Sequence, residues 1–178
     1  MEEEANRKAP PAISLRPFQL SDVDDVMEWM SDALVGRHTS WETVTTREEA
    51  LEYMRTTVLP HPWYRAVCVD GKPVGFIAVR PRSGVRRCGA EISGSLSRKY
   101  WGRGIPTVVL RMATAAVFHD WPRLERLDAL VVVENRASSR VLEKAGFTME
   151  GVHEKYAIIG GRLQNVARYS LLRVKSKL

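Results

Sequence analysis

Residues 99–107 read Lys-Tyr-Trp-Gly-Arg-Gly-Ile-Pro-Thr, and this stretch joins a strand-like segment to the start of a long helix. Gly102 and Gly104 let the backbone turn sharply and point several N–H groups into one concavity. The helix start adds unpaired N–H donors and a positive dipole end, and Pro106 fits its first turn. Three basic side chains add positive charge: Arg98, Lys99 and Arg103. The stretch therefore predicts a binding loop for a pyrophosphate.

The glycine pair alone is a weak signal, since a tight basic connection would look the same. The stretch lacks the Gly-Lys-Ser/Thr of a phosphate-binding P-loop. It also lacks the third glycine of the dinucleotide-binding fingerprint, and it lies late in the chain, not after the first strand. Both of those nucleotide-binding loops are therefore disfavoured.

A second informative segment, residues 134–147, follows an apolar, β-branched run that is typical of a buried central strand. Asn135 is placed to cap the next helix, Ser138 lies one turn further on the same side, and Gly146 ends the helix. Capping alone accounts for Asn135. The carboxyl end of a central strand is, however, also where an open α/β sheet binds its ligand, so Asn135 and Ser138 are candidate ligand contacts.

The apolar pattern around these segments alternates between strand and helix periods. Ser21 is predicted to cap the first helix, Thr46 and Glu49 form a capping box for the second, and Asp70-Gly71 suits a hairpin turn. Residues 33–45 are predicted to be irregular. In the long helix, the predicted buried face comprises Val108, Val109, Met112, Ala115, Ala116 and Val117. The order predicts one α/β (α+β) domain, with a mixed central sheet of about seven strands and helices on both faces.

The bulk properties exclude several classes of protein. A chain of 178 residues suits a single domain. No apolar run reaches the length of a membrane span, so no membrane association is expected. Cys68 and Cys88 lie in strand-like runs and are interpreted as reduced thiols packed as small apolar residues. Neither has metal-ligand spacing, and the four histidines are scattered, so no metal is expected.

The net charge of +6 favours anionic ligands without choosing among them. A nucleic-acid-binding module would rest on that charge alone. Four arginines cluster in one predicted loop without interleaved aromatic residues: Arg80, Arg82, Arg86 and Arg87. Nucleic acid is therefore disfavoured as a partner.

The two motifs, Trp101-Gly102-Arg103-Gly104 and Asn135-x-x-Ser138 through Gly146-Phe147, together resemble the GNAT superfamily of N-acetyltransferases. The branch they resemble most is the ribosomal-protein alanine acetyltransferase type. The resemblance covers residues 13–174, which are taken as the domain. Residues 1–12 are then a disordered tail, and residues 175–178 a C-terminal tail.

The resemblance implies an acetyl-CoA-dependent N-acyltransferase, with acetyl-CoA as co-substrate, no metal, and an amine as acceptor. The implied contacts to the cofactor are Ser95, Leu96, Ser97, Lys99, Gly102, Arg103, Gly104, Ile105, Thr107, Asn135 and Ser138. The sequence departs from the family at Lys99, at Pro106 and at Leu142, which stands where many members have a tyrosine that protonates the departing thiolate. The identity of the catalytic acid is therefore open.

Amine acylation needs a neutral amine, an adjacent thioester and donors for the oxyanion. Glu91, on the strand before the loop, resembles the glutamate of many members and is the candidate base; Ser138 is the candidate donor to the thiolate. The Leu96 N–H is the implied oxyanion donor. Tyr156 and Tyr169 could reach the site, although packing is the commoner role for such residues.

The acceptor pocket is predicted to form between the irregular segment 33–45 and a turn near 158–163, because loops carry specificity. The candidate acceptor contacts are Arg37, His38, Trp41 and Tyr156. Peptide N-termini, small-molecule amines and polyamines all stay open. The alternative function is a catalytically weak acyl-CoA-binding regulatory protein.

The sequence also gives expectations about assembly and location. A monomer or a homodimer is expected. The expected location is the cytoplasm, and the C-terminal Ser176-Lys177-Leu178 matches a peroxisomal import signal, which gives an alternative address.

Overall fold

A computed structural model describes residues 10–39, 41 and 43–174. The C-terminal tail, including the tripeptide Ser176–Leu178, and residues 1–9 of the predicted N-terminal tail lie outside the described residues. Ala12 exchanges hydrogen bonds with Asp70: its N–H donates to the Asp70 carboxylate at 2.9 Å, and its carbonyl accepts from the Asp70 N–H at 2.8 Å. Ala12 is therefore held against Asp70 by two hydrogen bonds.

Seven strands form one mixed sheet. The strands are β1 (Ile13–Pro17), β2 (Tyr64–Val69), β3 (Lys72–Pro81), β4 (Gly89–Leu96), β5 (Arg126–Val132), β6 (Thr148–Ile159) and β7 (Arg162–Leu172). Their order across the sheet is β1-β2-β3-β4-β5-β7-β6. All neighbours are antiparallel except β4 and β5, which are parallel. This arrangement confirms the predicted mixed sheet.

The helices cover both faces of that sheet, also as predicted. They are α1 (Val23–Met30), α2 (Ala33–Gly36), α3 (Arg47–Tyr53), α4 (Ile105–Asp120) and α5 (Arg136–Lys144). Strand β3 contributes side chains to the hydrophobic cores on both faces of the sheet, because successive side chains of a strand point to opposite faces. Ile77 and Val79 pack in the core under α4 and α5, and Phe76 and Ala78 pack in the core under α1 and α3.

An opening separates β4 from β5 in the middle of the sheet. The two strands pair only from Gly89 opposite Arg126 to Glu91 opposite Asp128. Beyond that point β4 continues to Leu96, while β5 stays paired with β7 on its other side. The edge of β4 from residue 92 to 96 therefore faces a gap. We call the place after Glu91 and Asp128 where the two strands separate the fork.

The local turn and cap predictions hold where they depend on neighbouring residues. Thr46 and Glu49 form the predicted capping box at the start of α3. Asp70 and Gly71, with φ of 50° and 84°, make the predicted hairpin turn between β2 and β3.

Three local predictions are wrong. Ser21 does not cap the first helix; a short 3-10 turn over Leu20–Asp22 precedes α1, and Gln19 with Asp22 makes the capping box there. The segment predicted to be irregular contains α2, which Asp32 caps by accepting from the Leu34 N–H at 2.9 Å. Cys88 is exposed because β4 begins one residue later, whereas Cys68 is buried as expected.

The predicted buried face of α4 is also wrong in part. Val109 and Val117 are buried, but Val108 and Ala115 are exposed. Helix α4 packs against β1, β3 and α5, which widens its buried face toward other positions. The buried residues of α4 are Ile105, Val109, Leu110, Ala113, Thr114 and Val117.

Candidate active site

The Gly102–Gly104 loop lies directly before the start of α4, with Gly104 at the N-cap position. Both glycines have positive φ, 72° and 74°, a conformation in which an L side chain is strained. A side chain at either position would project into open space, since no other atom lies within 4 Å of where its Cβ would be. The backbone N–H groups of Gly102, Arg103, Gly104 and Ile105 donate to no acceptor among the described residues. These donors, beside the positive end of the α4 dipole, suit an anion.

The basic residues of this loop differ in their partners. Lys99 contacts Glu28 at 3.4 Å, and Arg98 contacts Asp32 at 3.1 Å. A hydrogen bond from Lys72, with a further one from Lys99, holds the pKa of Glu28 below its usual value. Arg103 lies over the Tyr100 ring, 5.5 Å from its centroid, and has no carboxylate partner in the described part of the chain. Arg103 is therefore the basic side chain of this loop whose positive charge is not balanced by a carboxylate of the described residues.

The free edge of β4 leads from the fork toward this loop. The Ser97 N–H donates to the Val74 carbonyl of β3 at 2.7 Å. Because successive N–H groups of a strand point to opposite edges, the Leu96 N–H is directed into the gap between β4 and β5. The Leu96 side chain is buried in the core and the Leu96 carbonyl accepts a hydrogen bond from Trp101, so only the backbone N–H of Leu96 is offered to a ligand.

Asn135 and Ser138 lie where the sequence predicts, at the start of α5. The Asn135 side-chain oxygen accepts from the Ser138 N–H at 3.2 Å, which confirms Asn135 as the helix cap. The Ser138 side chain is half-buried, and its hydroxyl is left without a hydrogen bond among the described residues. Leu142 packs in the core under α4 and α5.

Glu91 lines a cavity of about 410 Å³ at the base of the fork, on the sheet face opposite α4. The cavity also contains Leu130, His153, Tyr156 and Arg168. The His153 and Tyr156 rings lie 5.1 Å apart, on β6. Glu91, which is the candidate base, and the rings of His153 and Tyr156 therefore line one cavity beside the fork.

Arginines surround a buried carboxylate beside this cavity. Asp128 is fully buried and contacts Arg82 at 2.6 Å, Arg126 at 2.6 Å and Arg168 at 3.5 Å. Arg126 also contacts Glu150, and this hydrogen bond holds the pKa of Glu150 below its usual value. Sequence reasoning missed this cluster, because its members come from separate strands and from the segment after β3.

A second cavity, of about 450 Å³, lies between α2 and the turn that joins β6 to β7. Arg37 and Trp41 line it from one side, and Ile158 and Gly160 line it from the other. The predicted meeting of segment 33–45 with this turn is therefore observed. The indole N–H of Trp41 is buried and has no acceptor among the described residues.

The four predicted acceptor contacts do not form one pocket. Arg37 and Trp41 line the cavity beside α2, Tyr156 lines the cavity beside Glu91, and His38 is among the lining residues of neither. Tyr169 is buried in the core under α4 and donates to Glu143 at 3.4 Å, which is the packing role.

The described residues hold no group of three or more His, Cys, Asp or Glu side chains that could bind a metal ion. Among the helices of the described residues, none is both long and apolar enough to cross a membrane.

The sequence of this chain is similar to those of known acetyltransferases. Residues 13–148 match the family model described as the acetyltransferase (GNAT) domain. The chain is 28% identical over 139 residues to the L-amino acid N-acetyltransferase AaaT of Escherichia coli (strain K12), covering 69% of this chain and 84% of that protein.

Two solved structures show the same fold. An acetyltransferase of the GNAT family from Bacillus anthracis superposes with a TM-score of 0.80 at 25% identity, covering 93% of this chain and 96% of that one. RimL, a ribosomal L7/L12 alpha-N-protein acetyltransferase in complex with coenzyme A, superposes with a TM-score of 0.79 at 20% identity, covering 90% and 93%.

Proposed function

The chain belongs to the GNAT family of acetyltransferases, and we propose that it transfers the acetyl group of acetyl-CoA to an amine by direct attack in a ternary complex. Family membership confirms the resemblance drawn from Trp101–Gly104 and Asn135–Phe147. The branch neighbour RimL shares the fold.

The observation that carries the proposal is the continuity between the fork and the glycine loop. The gap between β4 and β5 exposes the backbone edge of β4 from residue 92 to 96. The same chain then runs into the loop of free N–H groups at the start of α4. A pyrophosphate on the Gly102–Gly104 loop, helped by Arg103, would leave the pantetheine arm along β4 with its thioester near Leu96. Ser95, Ser97, Ile105 and Thr107 flank this path.

Three residues are proposed to act in the acetyl transfer: Glu91, Leu96 and Ser138. Glu91 accepts a proton from the attacking amine, directly or through water, and the neutral amine nitrogen bonds to the thioester carbon. The Leu96 N–H stabilises the oxyanion that forms on the carbonyl oxygen. When the C–S bond breaks, the Ser138 hydroxyl donates a hydrogen bond to the departing thiolate. The nitrogen then loses its extra proton, and the thiolate takes up one proton, by way of water. The products are an acetylated amine and coenzyme A with a free thiol, and no covalent enzyme intermediate is needed.

The acceptor is a primary amine. AaaT is named for L-amino acids and RimL for a protein N-terminus, so both kinds of amine are candidates. The cavity beside Glu91 is proposed to hold the acceptor. The cavity beside α2, with Arg37 and Trp41 on its wall, is proposed to hold the part of the acceptor molecule that extends beyond its amine group.

One observation favours a second function. Leu142, which stands at the tyrosine position of many family members, is buried in the core, so no side chain there reaches a thiolate. A protein that binds acyl-CoA and turns it over weakly would also tolerate this residue. Such a regulatory role predicts tight acetyl-CoA binding without acceptor-dependent release of thiol.

Release of free thiol from acetyl-CoA distinguishes the two functions. The purified protein is incubated with acetyl-CoA and a panel of amino acids, peptides and polyamines, and acceptor-dependent release is measured against acceptor-free hydrolysis. Acetylated product is confirmed by mass spectrometry. Binding without turnover on every acceptor would support the regulatory alternative.

The subcellular location of the protein stays a prediction. The cytoplasm is proposed, with peroxisomal import through Ser176–Leu178 as the alternative. An N-terminal fluorescent fusion, with and without Leu178, distinguishes these locations in a eukaryotic cell.

A further inference from the structure

We propose that Arg168 and Arg86 form a carboxylate-binding subsite beside Glu91, and that the acceptor is therefore a free α-amino acid. This inference rests on the proposed function, because it specifies the acceptor of the same site. The subsite would hold the carboxylate while Glu91 faces the amine.

The first support is an imbalance of charge in the cavity wall. Three guanidinium groups line the cavity, from Arg82, Arg86 and Arg168, against one carboxylate, from Glu91. Arg82 is already matched by Asp128 at 2.6 Å. Arg86 has no carboxylate partner among the described residues. The wall therefore presents unmatched positive charge.

The second support is a donor without an acceptor. Arg168 contacts Asp128 only at 3.5 Å, and its Nε–H is buried with no partner in the described part of the chain. Leaving such a group unsatisfied is costly. A guanidinium presents donors in a planar fork that matches a carboxylate. The Arg168 side chain is 29% exposed and lines the cavity, so a ligand carboxylate can bind the part of this side chain that stays accessible.

The register of the sheet places Glu91 and Arg168 on the same face. Glu91 pairs with Asp128 of β5, and Arg168 pairs with Leu130, two residues further along that strand. The backbones of β4 and β7 are separated by two strand spacings, roughly 10 Å. The long side chains of Glu91 and Arg168 can converge over Leu130. The space between them suits a compact zwitterion, with its ammonium toward Glu91 and its carboxylate toward Arg168.

The same charge pattern disfavours polyamines. A polyamine carries positive charge at both ends, so one end would lie against unmatched guanidinium groups. An amino acid amide has the right amine but no anion, and it therefore isolates the contribution of the carboxylate.

The test compares L-amino acids with their carboxamides in the thiol-release assay. Wild type should show a kcat/KM at least about 10-fold higher for the acid. Arg168→Gln should lower kcat/KM for the acid by about 10- to 100-fold, mainly through KM, and leave the amide within about 3-fold. Arg86→Gln, on an exposed turn, should act in the same direction. Because Arg168 contacts the buried Asp128, Arg168→Gln could fail to fold, and Arg86→Gln would then still test the proposal.

Arg55→Gln is the matched control, since it removes an exposed arginine that lines neither cavity. Acetyl-CoA affinity, measured by calorimetry, should stay unchanged in all three variants. Equal rates for acids and amides in wild type would overturn the inference while leaving the acetyltransferase intact. So would an equal loss on both substrates in Arg86→Gln and Arg168→Gln, or a preference confined to peptides with acidic side chains. If no amine at all is acetylated, the proposed function fails first.

Discussion

The indole Nε1–H of Trp101 donates to the backbone carbonyl of Leu96 at 2.7 Å. This bond ties the glycine loop back to the free edge of β4. The Trp101 side chain is otherwise 46% exposed, so packing does not explain its orientation. We infer that the bond sets the spacing between the proposed pyrophosphate loop and the strand that would carry the thioester.

Trp101→Phe should weaken acetyl-CoA binding by about 5- to 10-fold, because a single hydrogen bond that orders the loop is lost. The unfolding free energy should change little, since the side chain is half-exposed. Isothermal calorimetry measures the affinity. Trp121→Phe, at the far end of α4, is the control for loss of an indole and should bind as wild type. Equal affinity in Trp101→Phe would show that the bond has no part in binding.

Gly104→Glu should abolish acetyl-CoA binding, because its side chain would fill the proposed pyrophosphate site with negative charge. Gly84 offers a matched control. It too has positive φ, 62°, and open space at its Cβ position, but it lies in the turn before β4. Both glutamate variants should lose about 1 kcal/mol of stability through backbone strain, while only Gly104→Glu loses binding. Retained acetyl-CoA affinity in Gly104→Glu would remove the loop from the site.

Sequence patterns predicted the features that neighbouring residues determine. The Thr46–Glu49 capping box, the Asp70-Gly71 turn and the Asn135 cap each involve hydrogen bonds or torsions within four residues. The seven strands could be predicted because apolar alternation and a continuous apolar run are also local signals. The positive φ of Gly102 and Gly104 follows from the need to turn from a strand into a helix.

The missed features depend on pairing between distant segments. Asp128 meets Arg82 and Arg168 only because β5 lies between β4 and β7 in the sheet, and no spacing in the sequence encodes that order. The exposure of Val108 likewise follows from where α4 contacts β1, β3 and α5. Ser21 was a sound cap candidate, but Arg16 holds Asp22, and Asp22 accepts the Gln19 N–H at 2.9 Å, which moves the cap upstream.

Asp22→Asn should destabilise the protein at neutral pH by about 2 kcal/mol. The carboxylate of Asp22 accepts two hydrogen bonds of 2.8 Å from Arg16. The Arg16 guanidinium holds the pKa of Asp22 below its usual value, against the opposing effect of burial. The unfolded state therefore binds the proton first as pH falls. The stabilisation is fully present above the unfolded pKa, about 3.9, and is lost as pH falls through the folded pKa.

Urea unfolding between pH 2 and 7 measures this dependence. The acid loss of stability should be shallower in Asp22→Asn than in wild type. Asp24→Asn, on an exposed carboxylate that contacts Arg47, is the control and should keep the wild-type slope. Parallel pH curves for Asp22→Asn and wild type would contradict the assignment.

Ser138→Ala should lower kcat about 10-fold if the hydroxyl assists the departing thiolate. The cap on α5 uses the backbone N–H of Ser138, not its hydroxyl, so folding should be unaffected. Asn135→Ala separates the two roles, because it removes the cap and should cost about 1 kcal/mol of stability. Steady-state kinetics and thermal unfolding of both variants distinguish a role of the hydroxyl in turnover from a role in the stability of α5. Unchanged kcat in Ser138→Ala would assign protonation of the thiolate to solvent.

Glu91→Gln should lower kcat/KM by about 10²-fold, because the amide keeps the size of the side chain but cannot accept the proton of the amine. Glu91 is half-buried, lines the cavity at the fork, and makes no ion pair among the described residues, so its removal should not unfold the sheet. The deficit should shrink as pH rises from 6 to 9, since a growing fraction of the acceptor is then neutral without help. A merely structural role would give a deficit that is independent of pH. Glu154→Gln, on an exposed residue of β6, is the control and should follow the wild-type profile. Equal rates in Glu91→Gln and wild type across this range would exclude Glu91 as the base and leave water to deprotonate the amine.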